Sequence, residues 1–148
     1  MEVKSIFTTV GKLSAAVVAA LMIVSATHHL RNSYYFFASV LSYNSSNVAS
    51  SQVVAMFLPS LQLVVGGFIF ANVFVSSALA ISAILFSTYT MLQLHAMIAG
   101  MEIKCGCFGA AYDHDYISVR SIALPLSGLI ACAIALATEN RRSRDLSV

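Results

Sequence analysis

The chain has 148 residues, a formal net charge of +2 and a mean hydropathy of +0.85. Only 9% of its residues are charged, against about 25% in an average soluble domain, and so short a chain has too little interior to bury the rest. Its basic residues sit at the ends of apolar runs and form no face for nucleic acid, which leaves the bilayer as the natural solvent.

Four continuous apolar runs cover about residues 6–26, 53–75, 77–98 and 117–137. Each approaches the roughly 20 residues a helix needs to cross the hydrocarbon core. Only a helix or a closed barrel satisfies the backbone there, and continuous runs lack the alternation of barrel strands. The expected fold is therefore all-α: an integral membrane four-helix bundle forming a single domain over 1–148. In the first run, Lys12 lies near enough to an end to snorkel. Lys4, Lys12 and Val24-Ser25-Ala26 also fit a cleaved signal peptide, but we read the run as an uncleaved anchor.

Between the first two runs, Tyr34, Tyr35, Phe36, Phe37 and Tyr43 predict a short helix at the membrane interface, anchored by its aromatics. The Ser- and Asn-rich stretch 42–52 reads as loop, and Asn44-Ser45-Ser46 fits a glycosylation acceptor. In the second run, Pro59 should bend the helix. Gln62 falls near mid-depth, where a polar side chain should bond a neighbouring helix or a bound ligand. Gln62 is accordingly the candidate cofactor-binding residue. The connection at 72–77 is so short that the second and third helices must be antiparallel neighbours. Small residues recur at intervals of four: Ala15/Ala19 and Ala16/Ala20 in the first run, Ser76/Ala80 and Ala78/Ser82 in the third, Ala123, Ser127, Ala131 and Ala135 in the fourth. Such stripes let helix backbones approach closely.

The third run ends in a polar break that holds Cys105-Gly106-Cys107. A disulfide needs Cα atoms about 4.4–6.8 Å apart, which residues two apart meet only if the chain bends. Gly106 permits that bend. A small strained ring has a high reduction potential, the property of labile and catalytic disulfides. Lys104 would favour a thiolate at Cys105, and His95 and His114 could do the same or shuttle protons. Cys132 falls about fourteen residues into the fourth run, roughly 21 Å along the helix, too far to pair with them. Two other readings of the motif stay open. It could supply two ligands of a metal site completed by His28, His29, His95 or His114, or its cysteines could be inert.

Lys4, Lys12, Arg141, Arg142 and Arg144 fall on one side of a four-span chain, and Arg31, Lys104 and Arg120 on the other. That bias places both termini in the cytoplasm and the cysteine loop outside, where disulfides persist.

The segment Gly100-Met101-Glu102-Ile103-Lys104-Cys105-Gly106-Cys107-Phe108-Gly109 resembles the signature of the methylamine utilisation protein MauE and the wider MauE/DoxX-like membrane proteins. His29-Leu30-Arg31-Asn32 to Phe36-Phe37, and Leu58-Pro59-Ser60-Leu61-Gln62-Leu63 with Gly66, resemble further family segments. The family often has Glu where this chain has Gln62 and Asp where it has Lys104. The resemblance implies a four-helix bundle in the bacterial cytoplasmic membrane that makes or maintains disulfides in exported proteins, the founding case being maturation of methylamine dehydrogenase. It makes Cys105 and Cys107 the expected catalytic pair, with Gly106, Lys104, His95 and His114 supporting. By fold-level analogy with quinone-coupled bundles such as DsbB, a quinone is the candidate cofactor. Membrane lipid and an exported thiol protein or thioredoxin-like protein are the expected partners. The rival functions are a structural or assembly subunit of a larger membrane complex, and a metal-binding membrane protein.

Overall fold

A computed structural model describes residues 2–43, 47–100 and 119–146, with side-chain surroundings for 9–43, 47–100 and 122–141. Every regular element among them is an α-helix: α1 (Glu2–Arg31), α2 (Ser33–Tyr43), α3 (Val48–Phe70), α4 (Val75–Ile98) and α5 (Val119–Leu146). Four of these carry a stretch long and apolar enough to cross a membrane: Thr9–Arg31, Val48–Phe70, Val75–Ile98 and Ile122–Arg141. At 1.5 Å per residue, 23 residues reach about 35 Å, enough for a hydrocarbon core of about 30 Å.

The four long helices close into a ring, α1 on α3, α3 on α4, α4 on α5 and α5 back on α1, with α2 laid against α3. Large apolar side chains such as Phe57, Phe68, Ile84, Met91 and Ile130 point outward. In water that surface would be ruinous; in lipid it is the contact face. One end of the ring gathers the C-termini of α1 and α4, the N-termini of α3 and α5, and α2. We call it the loop end, because the segment joining α4 to α5 starts there.

The short helix expected after the first span is α2. It follows α1 almost without a break, since Asn32 bridges both: its N–H donates to the His28 carbonyl at 3.0 Å, and its carbonyl accepts from Phe36 N–H at 3.1 Å. Phe36 turns inward while Tyr34 and Tyr35 stay exposed. The loop expected over 42–52 is a correction. It is largely helical, because α3 starts at Val48, five residues before the apolar run. Asn47 caps α3 by accepting from Ser50 N–H, and the hydroxyls of Ser50 and Ser51 donate back to the Asn47 carbonyl. Serines that looked like loop residues thus complete a helix N-terminus. Replacing Asn47 with alanine should cost about 1 kcal/mol, read as faster amide exchange over the first turn of α3.

The tight connection between α3 and α4 runs through Ala71–Phe74. Val73 N–H donates to the Phe68 carbonyl and Asn72 N–H to that of Ile69, with Asn72 left-handed at φ 56°. That is a Schellman ending, with asparagine in the place glycine usually takes. It reverses the chain in four residues and makes α3 and α4 antiparallel, as its length requires.

The small-residue stripes are only partly interior. Ala19, Ala78, Ser82 and Ala135 are buried, but Ala123, Ser127, Ala16, Ala20, Ser76 and Ala80 face outward. The buried face of α5 is Pro125, Gly128, Cys132 and Ala135. Its spacing of three and four follows the 3.6-residue turn, which a strict interval of four drifts away from. At three glycines the neighbouring helix comes very close, and a Cβ on Gly11 of α1 would run into the Thr138 side chain of α5. A Cβ on Gly128 would lie 2.6 Å from the Phe86 ring, and one on Gly66 would lie 2.9 Å from Ile23 and 3.3 Å from the Ala19 carbonyl.

Candidate functional site

Cys105, Cys107, Gly106, Lys104 and His114 lie outside the described residues, as does the Asn44-Ser45-Ser46 triplet. What is described is the framework below them. α4 ends at Ile98 and α5 begins at Val119, so the segment carrying both thiols joins these helices at the loop end.

Beneath that end a polar seam enters the otherwise apolar core. Ser25, His29, Gln62 and Gln93 are all buried, with His29, Gln62 and Gln93 at 1–2% exposure. In a membrane protein such residues are costly and belong to interhelical bonding or to function. His29 Nε2 and Ser25 Oγ hydrogen-bond at 3.1 Å, one turn apart on α1. The His29 ring stacks on Phe36 of α2, with centroids 3.9 Å apart. Gln62 Nε2 donates to the Tyr89 hydroxyl at 3.1 Å, joining α3 to α4. Gln93 lies one turn from Tyr89 on α4. Among the described residues, His29 Nδ1 and Gln62 Oε1 have no hydrogen-bond partner.

Two cavities follow the seam. The smaller, about 20 Å³, is lined by Leu21, Met22, Ser25, Gln62, Phe86, Tyr89 and Pro125. It has room for one water, with Gln62 in its wall. The larger, about 280 Å³, opens between α2, α3 and α4, with Phe36, Ser51, Tyr89 and Gln93 in its wall. Tyr89 borders both.

Gln62 therefore bonds a neighbouring helix and borders the smaller cavity; it does not line the larger one. Its single bond to Tyr89 sets the size of a test. Interhelical hydrogen bonds in membranes average about 0.6 kcal/mol. Gln62→Leu should lower stability by about that much in a reversible unfolding assay and leave the bundle assembled. His95 is exposed on α4, and among the described histidines it is His29 that is buried. Cys132 is fully buried in α5, thirteen residues past Val119, about 20 Å from that end of the helix. Among the described residues no three of His, Cys, Asp and Glu come together as metal ligands.

Sequence reasoning passed over Ser25, Tyr89 and Gln93. Gln93 gave the same signal as Gln62, a glutamine within an apolar run, but it lies near a span end, where polar residues are cheap.

The fold and its seam define a multi-pass membrane protein of four spanning helices with a polar interior near one end. The chain belongs to the MauE family: the family model described as methylamine utilisation protein MauE matches residues 5–138. The match is to MauE and carries no DoxX-like relation with it. No curated protein and no solved structure matches the chain.

Proposed function

We propose that this chain is a membrane thiol–disulfide redox protein that assists disulfide formation in exported proteins of a methylamine-utilising system. The observation that carries this reading is the Cys105-Gly106-Cys107 pair. It falls within the family match and, along the chain, between α4 and α5, and α4 ends at the end of the bundle nearer the buried polar seam.

The chemistry requires no other protein group to change oxidation state. A thiolate of the exported protein attacks one sulfur of the Cys105–Cys107 disulfide, forming a mixed disulfide and releasing the other sulfur as thiolate. A second thiol of the exported protein then displaces the mixed disulfide. The exported protein leaves with an S–S bond, and Cys105 and Cys107 remain as a dithiol. Two electrons and two protons must leave that dithiol before the next cycle, and a lipid-soluble carrier is the acceptor this location favours. Lys104 beside Cys105 favours the thiolate and so speeds exchange. The expected setting is the bacterial cytoplasmic membrane with the pair on its outer side.

Side-specific labelling in intact cells tests the placement. After mild reduction, a membrane-impermeant maleimide should modify Cys105 and Cys107 and spare the buried Cys132. Labelling that needs permeabilised cells would put the pair on the cytoplasmic side and remove the oxidising setting. A pair that stays oxidised under mild reductant would instead point to a non-catalytic assembly subunit.

A further inference from the structure

We infer that the 280 Å³ cavity between α2, α3 and α4 is the binding site for the ring of a lipid-soluble quinone, held by Gln93 and Tyr89. The inference rests on the redox reading for its purpose, and on the cavity alone for its chemistry.

Four features select the occupant. The first is the route in. Val54 and Leu92, on the cavity's rim, are 43% and 39% exposed on helices whose outer faces meet lipid. A ligand therefore enters from the bilayer. The second is charge. None of the lining residues is ionisable at neutral pH, so nothing there would recognise a phosphate or carboxylate headgroup. The third is size and shape. The volume, about 280 Å³, falls just below the roughly 300–1,000 Å³ of small-molecule sites. It suits one substituted ring, with the aromatic side chains of Phe36 and Tyr89 in its wall. The fourth is the kind of polar group. An acyl chain has no use for the Gln93 amide and the Tyr89 phenol in the cavity wall, because it can neither accept nor donate a hydrogen bond. A quinone uses both. The Gln93 amide can donate to a ring carbonyl and accept from the hydroxyl that replaces it on reduction, so one side chain serves both redox states.

The seam behind the cavity fits the same purpose. His29 stacks on Phe36, and Gln62 bonds Tyr89, so two cavity-wall residues are each backed by a buried polar side chain. Gln93 lies five residues before the end of α4, about 7.5 Å along the axis from where the thiol-bearing segment begins. The overall step balances. The Cys105–Cys107 dithiol loses two electrons and two protons as the S–S bond forms, and the two ring carbonyls become hydroxyls.

The test is equilibrium binding of tritiated decylubiquinone to the full-length chain in nanodiscs, with Cys105→Ser and Cys107→Ser so that binding is read without turnover. Saturable binding of one molecule per chain is expected. Gln93→Leu should weaken it about tenfold. Val54→Phe should weaken it at least as much by filling the cavity from its partly exposed rim, where a larger side chain does not disturb the core. Ile84→Phe, on a lipid-facing position of α4 outside the cavity, should leave binding unchanged. Circular dichroism and a monodisperse elution profile establish that each variant is folded. Absence of saturable binding overturns the inference. So does binding that neither Gln93→Leu nor Val54→Phe alters, or displacement by oleate as effective as by unlabelled quinone, which would make the cavity an acyl slot. Because the assay lacks the thiols, loss of dithiol chemistry in the wild-type chain leaves this result untouched, and failure here leaves the thiol exchange standing with another electron acceptor.

Discussion

Cells expressing the Cys107→Ser chain should accumulate a covalent adduct between this protein and an exported thiol protein, visible on non-reducing gels and lost on reduction. The lone Cys105 thiolate attacks the S–S bond of an oxidised exported protein, forming a mixed disulfide and releasing the partner's other sulfur as thiolate, and without Cys107 no attack from this chain can release the adduct. Cys105→Ser should fail in the same way through Cys107. The double substitution should give no adduct and bring oxidation of the partner to background. This is the largest functional effect expected of any substitution, because the exchange needs both sulfurs and no nearby residue replaces either. Cys132 cannot rescue the variants: it is fully buried in α5, about 20 Å along the helix from the end where the thiol-bearing segment joins. Normal partner oxidation by the double variant would end the redox reading. It would leave the chain as a structural member of its system.

The largest structural effect is expected from one of two adjacent glycines. Gly66→Leu should destabilise the bundle by about 3 kcal/mol or more, near the upper end of what overpacking costs. Gly67→Leu should be neutral or mildly stabilising, since leucine is the better helix former by about 1 kcal/mol. Both residues sit on α3 with the same helical context, so propensity cancels in the comparison. What differs is the neighbourhood. A Cβ at Gly66 meets Ile23, Met22 and the Ala19 carbonyl of α1 within 3.3 Å, and the carbonyl is backbone that cannot rotate away. A Cβ at Gly67 meets nothing within 4 Å. Unfolding of the two variants in mixed micelles, followed by circular dichroism, reads the difference directly. Equal stabilities would mean that α1 and α3 do not pack through Gly66.

The same contrast explains which parts of the fold could be read in the chain and which could not. The spanning helices were legible because hydrophobicity sustained over more than 20 residues has one physical meaning. Their ends were less so. At α3 the apolar run starts at about residue 53, but the helix starts at Val48, because the Asn47 side chain and the serine hydroxyls satisfy the first turn. Hydropathy does not register a cap. The Ala123, Ser127, Ala131 and Ala135 stripe suggested an α5 interface, yet the face that packs on Phe86 runs through Gly128 and Cys132. In water a buried face stands out by contrast with a polar one. In lipid both faces are apolar, and the period that would reveal the interior is erased.

By itself the amino-acid sequence determined the solvent, the number of spanning helices, the antiparallel α3–α4 turn and the place of two close thiols between the third and fourth spans. Each of these depends on composition along the chain, and composition is local. Tertiary structure alone decided which polar residues share the interior. It set Gln62 of α3 against Tyr89 of α4, stacked His29 of α1 on Phe36 of α2, and placed Gln93 in a cavity beside Ser51. These groups come from four helices and lie up to 64 positions apart in the chain, from His29 to Gln93. No local pattern pairs them. They meet because the cost of a polar side chain facing lipid drives each one inward, and the ring of helices has one interior to receive them.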